Sequence, residues 1–378
     1  MKVEQELVDS NFSFSKRDKE FVLSLFLIVG VGRQTIKKIL LHLIKYELNF
    51  SDFWVNKLNI WEKCQLSNKS IDSIKNIYKD QLSYSLYDSI INKNIRVVFF
   101  WENEYPKLLK QCDDFPVVLF AKGDISILHN DFIGVVGTRR ITDYGKFATK
   151  KIVEDLVAGG FSIASGFMYG VDLLAHLEAI ENGGSTVAVL GFGFDHMYPK
   201  SHQKYFDKII NSGGCFITEY LPDVEPAVGN FPSRNRIVAG LSKGVVVVEA
   251  AKKSGSHITV QCAINEGREV FAVPGPINNP FSEGTKYLIN QGATLITSGF
   301  DVIQQLNSEY TGPIEEKNYD NLAENQRQIV DKLKIEPLSI GSLADLTGID
   351  VDKLFTEITL LEINGIVNVA DNIISLKL

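Results

Sequence analysis

From residue 133 to residue 296 the chain alternates short runs rich in β-branched residues with longer stretches at helical spacing, and few folds accommodate that pattern. The short runs lie at 133–136 (Ile133, Gly134, Val135, Val136), 161–164, 186–190, 215–218, 245–248 and 270–273, with a last one at 294–296. Between them the spacing predicts helices over 143–158, 171–181, 202–211, 235–241, 259–266 and 285–291. The first of these places Ala148, Ile152 and Leu156 on one face and stops at Gly159-Gly160. A strand that is apolar on successive residues has both faces covered, which is the signature of a parallel sheet between helical layers. Right-handed crossovers then give a doubly wound α/β, Rossmann-like core. In such a core, ligands sit beyond the C-terminal ends of the strands.

The flanks read differently. Residues 1–90 look helical throughout. An apolar stretch at 21–28, the turn Val29-Gly30-Val31-Gly32 and a second stretch with Ile36, Ile39, Leu40 and Leu43 resemble a helix-hairpin-helix. Such a turn either only packs, which is the reading preferred here, or offers the free N–H groups of its second helix to a phosphate. Short strands are expected at 95–101 and 117–120. A polar stretch over 307–321, containing Gly312-Pro313, reads as a linker. The last ~55 residues show three short helices and a hairpin turning at Asp371-Asn372, which is the winged-helix pattern. The expected domains are therefore a helical SAM-like or helix-hairpin-helix-like domain at 1–90, the Rossmann-like domain at 91–305, a linker at 306–320 and a winged helix at 321–378.

Totals exclude several classes of function. The apolar runs, such as 21–29, are too short to span a bilayer. Met1 to Ser10 carries Glu4, Glu6 and Asp9 where a secretory leader has a basic patch, so a cytoplasmic protein is expected. Cys64, Cys112, Cys215 and Cys262 are scattered with no C-x-x-C pair, which speaks against a zinc site or disulfide framework. The net charge of −7 looks wrong for a nucleic-acid protein, but it is uneven. Residues 313–378 carry 6 Lys/Arg against 12 Asp/Glu, while residues 130–300 carry 15 against 16. Local placement decides the matter in the middle of the chain.

The strand ends carry the chemistry. The first ends in Gly137-Thr138-Arg139-Arg140, in which a glycine admits a close ligand, a hydroxyl donates, and a planar guanidinium suits phosphate oxygens beside a helix N-terminus. This is an anion-binding corner without the G-x-G-x-x-G of a dinucleotide site or a Walker loop. The second ends in Ser165-Gly166 and runs through Gly170 into Asp172 and His176, which are four apart and read as a brace and a packed imidazole ahead of an acid–base pair. Lys200 follows Tyr198-Pro199 at the third strand end. After the fourth comes Gly229-Asn230-Phe231-Pro232-Ser233 and then Arg234-Asn235-Arg236. The ring of Phe231 in a turn is read as a stacking face, with burial in the core as the alternative; stacking contributes roughly 1–3 kcal/mol per base. The fifth end gives Glu249, then Lys252-Lys253 and the hydroxyl-rich nest Ser254-Gly255-Ser256. Glu249 is the one strand-end carboxylate worth considering as catalytic, and no nucleophile, metal cluster or cofactor motif accompanies it.

Taken in order, Gly137-Thr138-Arg139-Arg140, Ser165-Gly166 with Gly170-Val171-Asp172, Tyr198-Pro199, Phe231-Pro232 with Arg234-Asn235-Arg236, Ser254-Gly255-Ser256 and Phe271-Ala272-Val273-Pro274-Gly275 resemble the DNA-processing protein A family. The resemblance covers roughly residues 95–300, and its flanking domains occur in part of that family. It implies a non-enzymatic homodimer, without cofactor, metal or membrane, that binds single-stranded DNA, loads the RecA recombinase onto it and protects incoming DNA in natural transformation. It implies phosphate contact for Arg139, a DNA contact for Lys200 and base stacking for Phe231. Two departures stand out. Met168-Tyr169-Gly170 replaces a turn that often carries a basic residue, and Val228 stands where some members have Lys. These changes are expected either to weaken phosphate affinity or to shift contacts to Arg234 and Lys252. A nucleotide-processing enzyme of the lysine-decarboxylase-like phosphoribohydrolase type is the alternative, although its P-G-G-x-G-T-x-x-E turn is absent; a nucleotide-sensing module is a third reading. In the tail the third helix holds Asp350, Asp352, Glu357 and Glu362 against Lys353, which repels a duplex and points to protein contact or a spacer.

Overall fold

The computed structural model describes residues 15–80, 86–306, 322–364, 366–370 and 373–376. The stretch 1–10, the linker stretch 307–321 and the Asp371-Asn372 turn lie outside the described residues. Internal contacts divide the chain into two compact units, split between residues 310 and 311.

The front of the first unit is helical: α1 (Lys16–Leu25), α2 (Arg33–Lys45), α3 (Phe50–Trp54), α4 (Ile60–Lys63), α5 (Asn68–Asp80) and α6 (Leu86–Ile91). A capping box starts α1, in which Ser15 accepts from the Asp18 N–H and the Asp18 carboxylate accepts from the Ser15 N–H at 2.6 Å. In α2 the residues singled out by spacing, Ile36, Ile39, Leu40 and Leu43, are all buried.

The elements that follow are β1 (Arg96–Phe99), α7 (Lys107–Lys110), β2 (Val118–Gly123), β3 (Phe132–Val136), α8 (Asp143–Ala158), β4 (Ser162–Ser165), α9 (Val171–Glu181), β5 (Thr186–Val189), α10 (Gln203–Asn211), β6 (Cys215–Thr218), α11 (Asn230–Leu241), β7 (Ser242–Val247), α12 (Ser256–Asn265), β8 (Glu269–Ala272), α13 (Glu283–Asn290), β9 (Thr294–Leu295) and α14 (Gly299–Leu306). They build one nine-stranded sheet of order β1-β2-β6-β5-β4-β3-β7-β8-β9. Every pairing from β6 to β9 is parallel. The chain winds from β3 outward to β6, then returns to the other side of β3 for β7, β8 and β9. The winding direction therefore reverses between β3 and β7, and the loops after these two strands diverge there.

Side chains sort by the two-residue period of a strand. Ile133 and Val135 of β3 join a core with α8, α9 and α14. Phe132 and Val136 join the opposite core, which holds Ile237 and Val238 of α11 and runs without a break into Phe21, Ile36 and Leu40 of the front helices.

Three features differ from the expectation. β1 and β2 join the sheet as an antiparallel edge, so it is not wholly parallel. α11 starts at Asn230 instead of residue 235, because Pro232 is no breaker in a first turn, where the backbone N–H has no intrahelical acceptor. α14 was not anticipated; its Gly299 N–H donates to buried Asp155 at 2.9 Å, and Ile303 packs against α8.

The second unit contains α15 (Glu324–Leu333), β10 (Leu338–Ser339), α16 (Ile340–Thr347), α17 (Val351–Ile363), β11 (Val367–Ala370) and β12 (Ile373–Leu376). Its strands pair antiparallel in the order β10-β12-β11 over a core that includes Ile329, Leu343, Leu354, Ile358 and Ile374. Among the described residues no helix is long and apolar enough to cross a membrane.

Candidate functional site

A cleft of about 560 Å³ opens where the winding reverses, floored by the loops after β3, β4 and β7 and walled by the start of α11. The β3 loop is pinned from three sides. The Thr138 N–H donates to the Glu249 carbonyl at 2.7 Å, the Val171 N–H donates to the Thr138 carbonyl at 3.2 Å, and the Thr138 hydroxyl accepts the Arg140 N–H at 3.1 Å. Gly170, at φ +81°, packs so closely that a Cβ would stand 2.2 Å from the Thr138 carbonyl oxygen. This rigid backbone leaves Arg139 and Arg140 exposed on the rim of the cleft, and neither forms an ion pair within the described residues.

Glu249 secures the same loop. Its carboxylate accepts from the Thr142 N–H at 3.0 Å, the Thr142 hydroxyl at 2.6 Å and the Asn279 amide at 2.9 Å, and the side chain is buried. Both oxygens are committed, so the carboxylate acts as a staple and not as the catalytic group considered from the sequence. Thr142 in turn caps α8, accepting from the Gly145 N–H at 3.1 Å.

The floor holds a buried charge pair. Arg234 is 2% exposed and donates to the carbonyls of Gly166 and Val189, with its Nε 3.2 Å from the Asn235 amide oxygen. Burial pulls it down to about 10, against the pull of Asp172. Burial raises Asp172 to about 6, and Arg234 offsets part of that rise. Gly166 is required between them, since a Cβ there would lie 2.5 Å from both groups. His176 is buried with its Nδ1 2.6 Å from the Thr186 hydroxyl, and burial, then Arg234, hold it down at about 3. It stays neutral and packed, and makes no acid–base pair with Asp172.

The α11 wall contributes Phe231, which is half-buried and lies 5.4 Å from the ring of Tyr198 at 39°. The same cleft is lined by Lys253 and the Ser254-Gly255-Ser256 turn that opens α12, where the Ser256 N–H donates to the Ser254 hydroxyl at 3.3 Å. The cleft lining carries Arg139, Arg140, Arg234 and Lys253, and its one acid is the buried Asp172. A positive, partly apolar groove with exposed ring edges can hold anionic groups alongside flat apolar ones.

Gly137, Thr138, Arg139, Arg140, Gly166, Phe231, Arg234, Asn235, Ser254, Gly255 and Ser256 all meet in this cleft. Four residues expected with them do not. Ser165 is fully buried, donating to the Val135 carbonyl at 2.6 Å. Arg236 points away, onto Glu219 and Asp114. Lys200 lines a second cleft of about 490 Å³ with Asp195 and Gln203, sharing Tyr198 with the first. Lys252 is exposed beside the cleft, and its neighbour Lys253 is the lysine that lines it. The sequence reading missed Lys253 and Tyr198; both stood in motifs already singled out, but alternation along a loop does not tell which of two adjacent lysines turns inward. Among the described residues no cluster of His, Cys, Asp and Glu could hold a metal ion.

Comparison with known proteins places the chain in a family. Residues 96–307 match the family model for DNA recombination-mediator protein A. Protein Smf of Escherichia coli K12 is 44% identical over 202 residues, which is 53% of this chain and 54% of that protein, so the match spans about half its length. DNA processing protein DprA of Streptococcus pneumoniae is 43% identical over 201 residues, 53% of this chain and 71% of that one. The X-ray structure of the Streptococcus pneumoniae protein superposes with a TM-score of 0.67 at 32% identity, covering 78% of this chain and 99% of that one. A structure addressing the single-stranded DNA binding mode of DNA processing protein A from Helicobacter pylori superposes with a TM-score of 0.51 at 30% identity, over 56% of this chain and 95% of that one. The switch-point cleft thus lies within the matched region, and the chain belongs to the DNA recombination-mediator protein A family.

Proposed function

We propose that the cleft holds single-stranded DNA by its phosphates, with one base laid against Phe231, and that the protein works as a non-enzymatic recombination mediator. The observation that carries this reading is the rim itself: Arg139, Arg140 and Lys253 are exposed around a cleft whose one acid is buried, and a half-buried aromatic ring, Phe231, lines the same cleft. Guanidinium and ammonium groups neutralise successive phosphodiesters, and a ring accepts any base because every base has a flat face. A duplex offers no splayed base to such a ring, so single strands are preferred. The single-stranded DNA binding described for the Helicobacter pylori relative supports the same reading.

The finer parts of the proposal rest on the family. They are loading of RecA onto the bound strand, protection of incoming DNA during natural transformation, homodimerisation and action in the cytoplasm. The helices α15, α16 and α17 with their small sheet are read as a winged helix. Exposed Asp352 and Glu362 on α17 support the reading of that domain as a protein-contacting or spacing module in place of a duplex reader.

Fluorescence anisotropy with a labelled oligothymidylate tests the central part. The account predicts binding that weakens steeply with salt, with a logarithmic slope near −0.7 per phosphate neutralised, and weaker binding of a blunt duplex of equal length. Equal affinity for duplex and single strand, or binding insensitive to salt, contradicts it.

A further inference from the structure

The first turn of α11 has two working faces. Phe231, Arg234 and Asn235, at positions i, i+3 and i+4, line the cleft. On the other side, Ser233 meets the front helix α2, and Arg236, three residues on, turns to Asp114 and Glu219. The Ser233 hydroxyl accepts from Arg33 Nη1 at 2.6 Å. Arg33 is the first residue of α2, directly after the Gly30-Val31-Gly32 turn that resembled a helix-hairpin-helix and was expected only to pack. Its Nε and Nη2 lie 3.2 and 3.1 Å from Asp114 Oδ2. Arg236 Nε reaches the same oxygen at 3.2 Å, and its Nη1 donates to the Asp114 carbonyl at 2.5 Å. One carboxylate therefore ties α2 to α11.

The first turn of a helix is its least secure part, because its leading N–H groups lack intrahelical partners. In α11 the N-cap is Gly229, which supplies no side-chain cap, so the leading N–H groups of the turn receive no side-chain acceptor from it. The turn is held from outside as well: Phe231 packs against the buried cluster that includes Phe167, Leu190 and Phe192 and lies beside Tyr198, while Arg33 holds Ser233 behind.

The geometry points to Arg33 as a positioning residue for the stacking ring: through Ser233 and Asp114 it fixes the first turn of α11, and with it Phe231, in the orientation that receives a base. The inference rests on the reading of the cleft given above. Arg33, whose side chain is 41% exposed, then serves the DNA site from behind, its guanidinium engaged by Ser233 and Asp114 instead of a phosphate. Without the clamp, the turn is held on the cleft side alone, by the packing of Phe231, and affinity falls while every phosphate contact survives.

The test uses the full chain, a labelled oligothymidylate titrated over a salt series, and a matching oligonucleotide carrying 2-aminopurine, whose fluorescence reports stacking. Arg33→Ala is expected to bind about fivefold more weakly at every salt concentration. Its slope against salt stays that of the unaltered protein, and the 2-aminopurine change at saturation is smaller. Ser233→Ala leaves the Arg33–Asp114 pair in place and gives a lesser loss of the same kind, which separates positioning from a failure to fold. The clamp is overturned if both variants bind and stack like the unaltered protein. It is equally overturned if Arg33→Ala flattens the slope by about 0.7, since Arg33 then touches a phosphate directly. If the unaltered protein binds no oligothymidylate, the reading of the cleft falls and the clamp with it, an outcome distinct from the other two.

Discussion

Arg139-Arg140 and Arg234-Asn235-Arg236 look alike in the sequence: two basic pairs, each beside a helix start, each in a loop at a strand end. In the fold they are opposites. The first pair stands exposed on the rim, without an ion pair among the described residues, on backbone that Glu249 and Gly170 hold rigid. The second is consumed by the protein. Arg234 spends its guanidinium on the carbonyls of Gly166 and Val189 above Asp172, and Arg236 on Glu219 and Asp114. A buried cation without partners would be prohibitive, so the protein surrounds these two with acceptors. The contrast teaches that basic residues around a groove divide into those that meet the ligand and those that build the surface it meets, and that distant partners decide which is which.

The largest expected effect falls on the buried side. Arg234→Met leaves Asp172 facing an apolar group and removes the donor that joins the β4 and β5 ends, and it should lower stability by roughly 3–5 kcal/mol. Thermal denaturation checks this; a change within error would mean that Arg234 is as dispensable as a surface residue, and the comparison would fail.

Next comes a pH effect on the same side. His176 is held at about 3, below its ordinary value, so the folded form refuses a proton that the unfolded chain accepts. Its contribution is complete above pH 6.5 and is lost as pH falls, by about 2 kcal/mol at pH 5. Asp172, raised to about 6, acts in the opposite sense, favouring the fold below about pH 4 and losing that contribution as pH rises through about 6. Denaturant midpoints between pH 7 and 5 should therefore fall less in His176→Gln than in the unaltered protein. An identical fall in both would sink the assignment.

On the exposed side the effects are smaller and confined to binding. Arg139→Ala should leave the melting temperature unchanged, weaken oligothymidylate binding about tenfold, or 1.4 kcal/mol, and flatten the salt slope by about 0.7. Lys253→Ala should do the same with a loss of about threefold. A fall in stability with no change in slope for either variant would place it with Arg234 instead.

The strand pattern was legible because its cause is local: Ile133, Val135 and Val136 are apolar on both faces and can only be the middle of a covered sheet. Helix bounds were legible at α8 and α9, whose expected spans 143–158 and 171–181 are the observed ones. The start of α11 was not, since Gly229 and Pro232 read equally well as a turn. The antiparallel edge of β1 and β2 depends on pairing with β6, far along the chain, and no local signal announces it. At the site, strand-end position brought Gly137 to Arg140, Phe231 and Ser254 to Ser256 to one cleft. Exposure was beyond its reach: that Arg236 turns to Glu219 and Asp114, that Lys200 lines a neighbouring cleft and that Lys253 faces inward in place of Lys252 are consequences of long-range packing.

A crystal structure with a short oligothymidylate tests the central claim most directly. The account predicts a phosphate within hydrogen-bond reach of Arg139, a second near Lys253 or the Ser254-Gly255-Ser256 turn, and a base lying against Phe231. DNA bound elsewhere, for example along α17, with the cleft between β3 and β7 left empty, would contradict it.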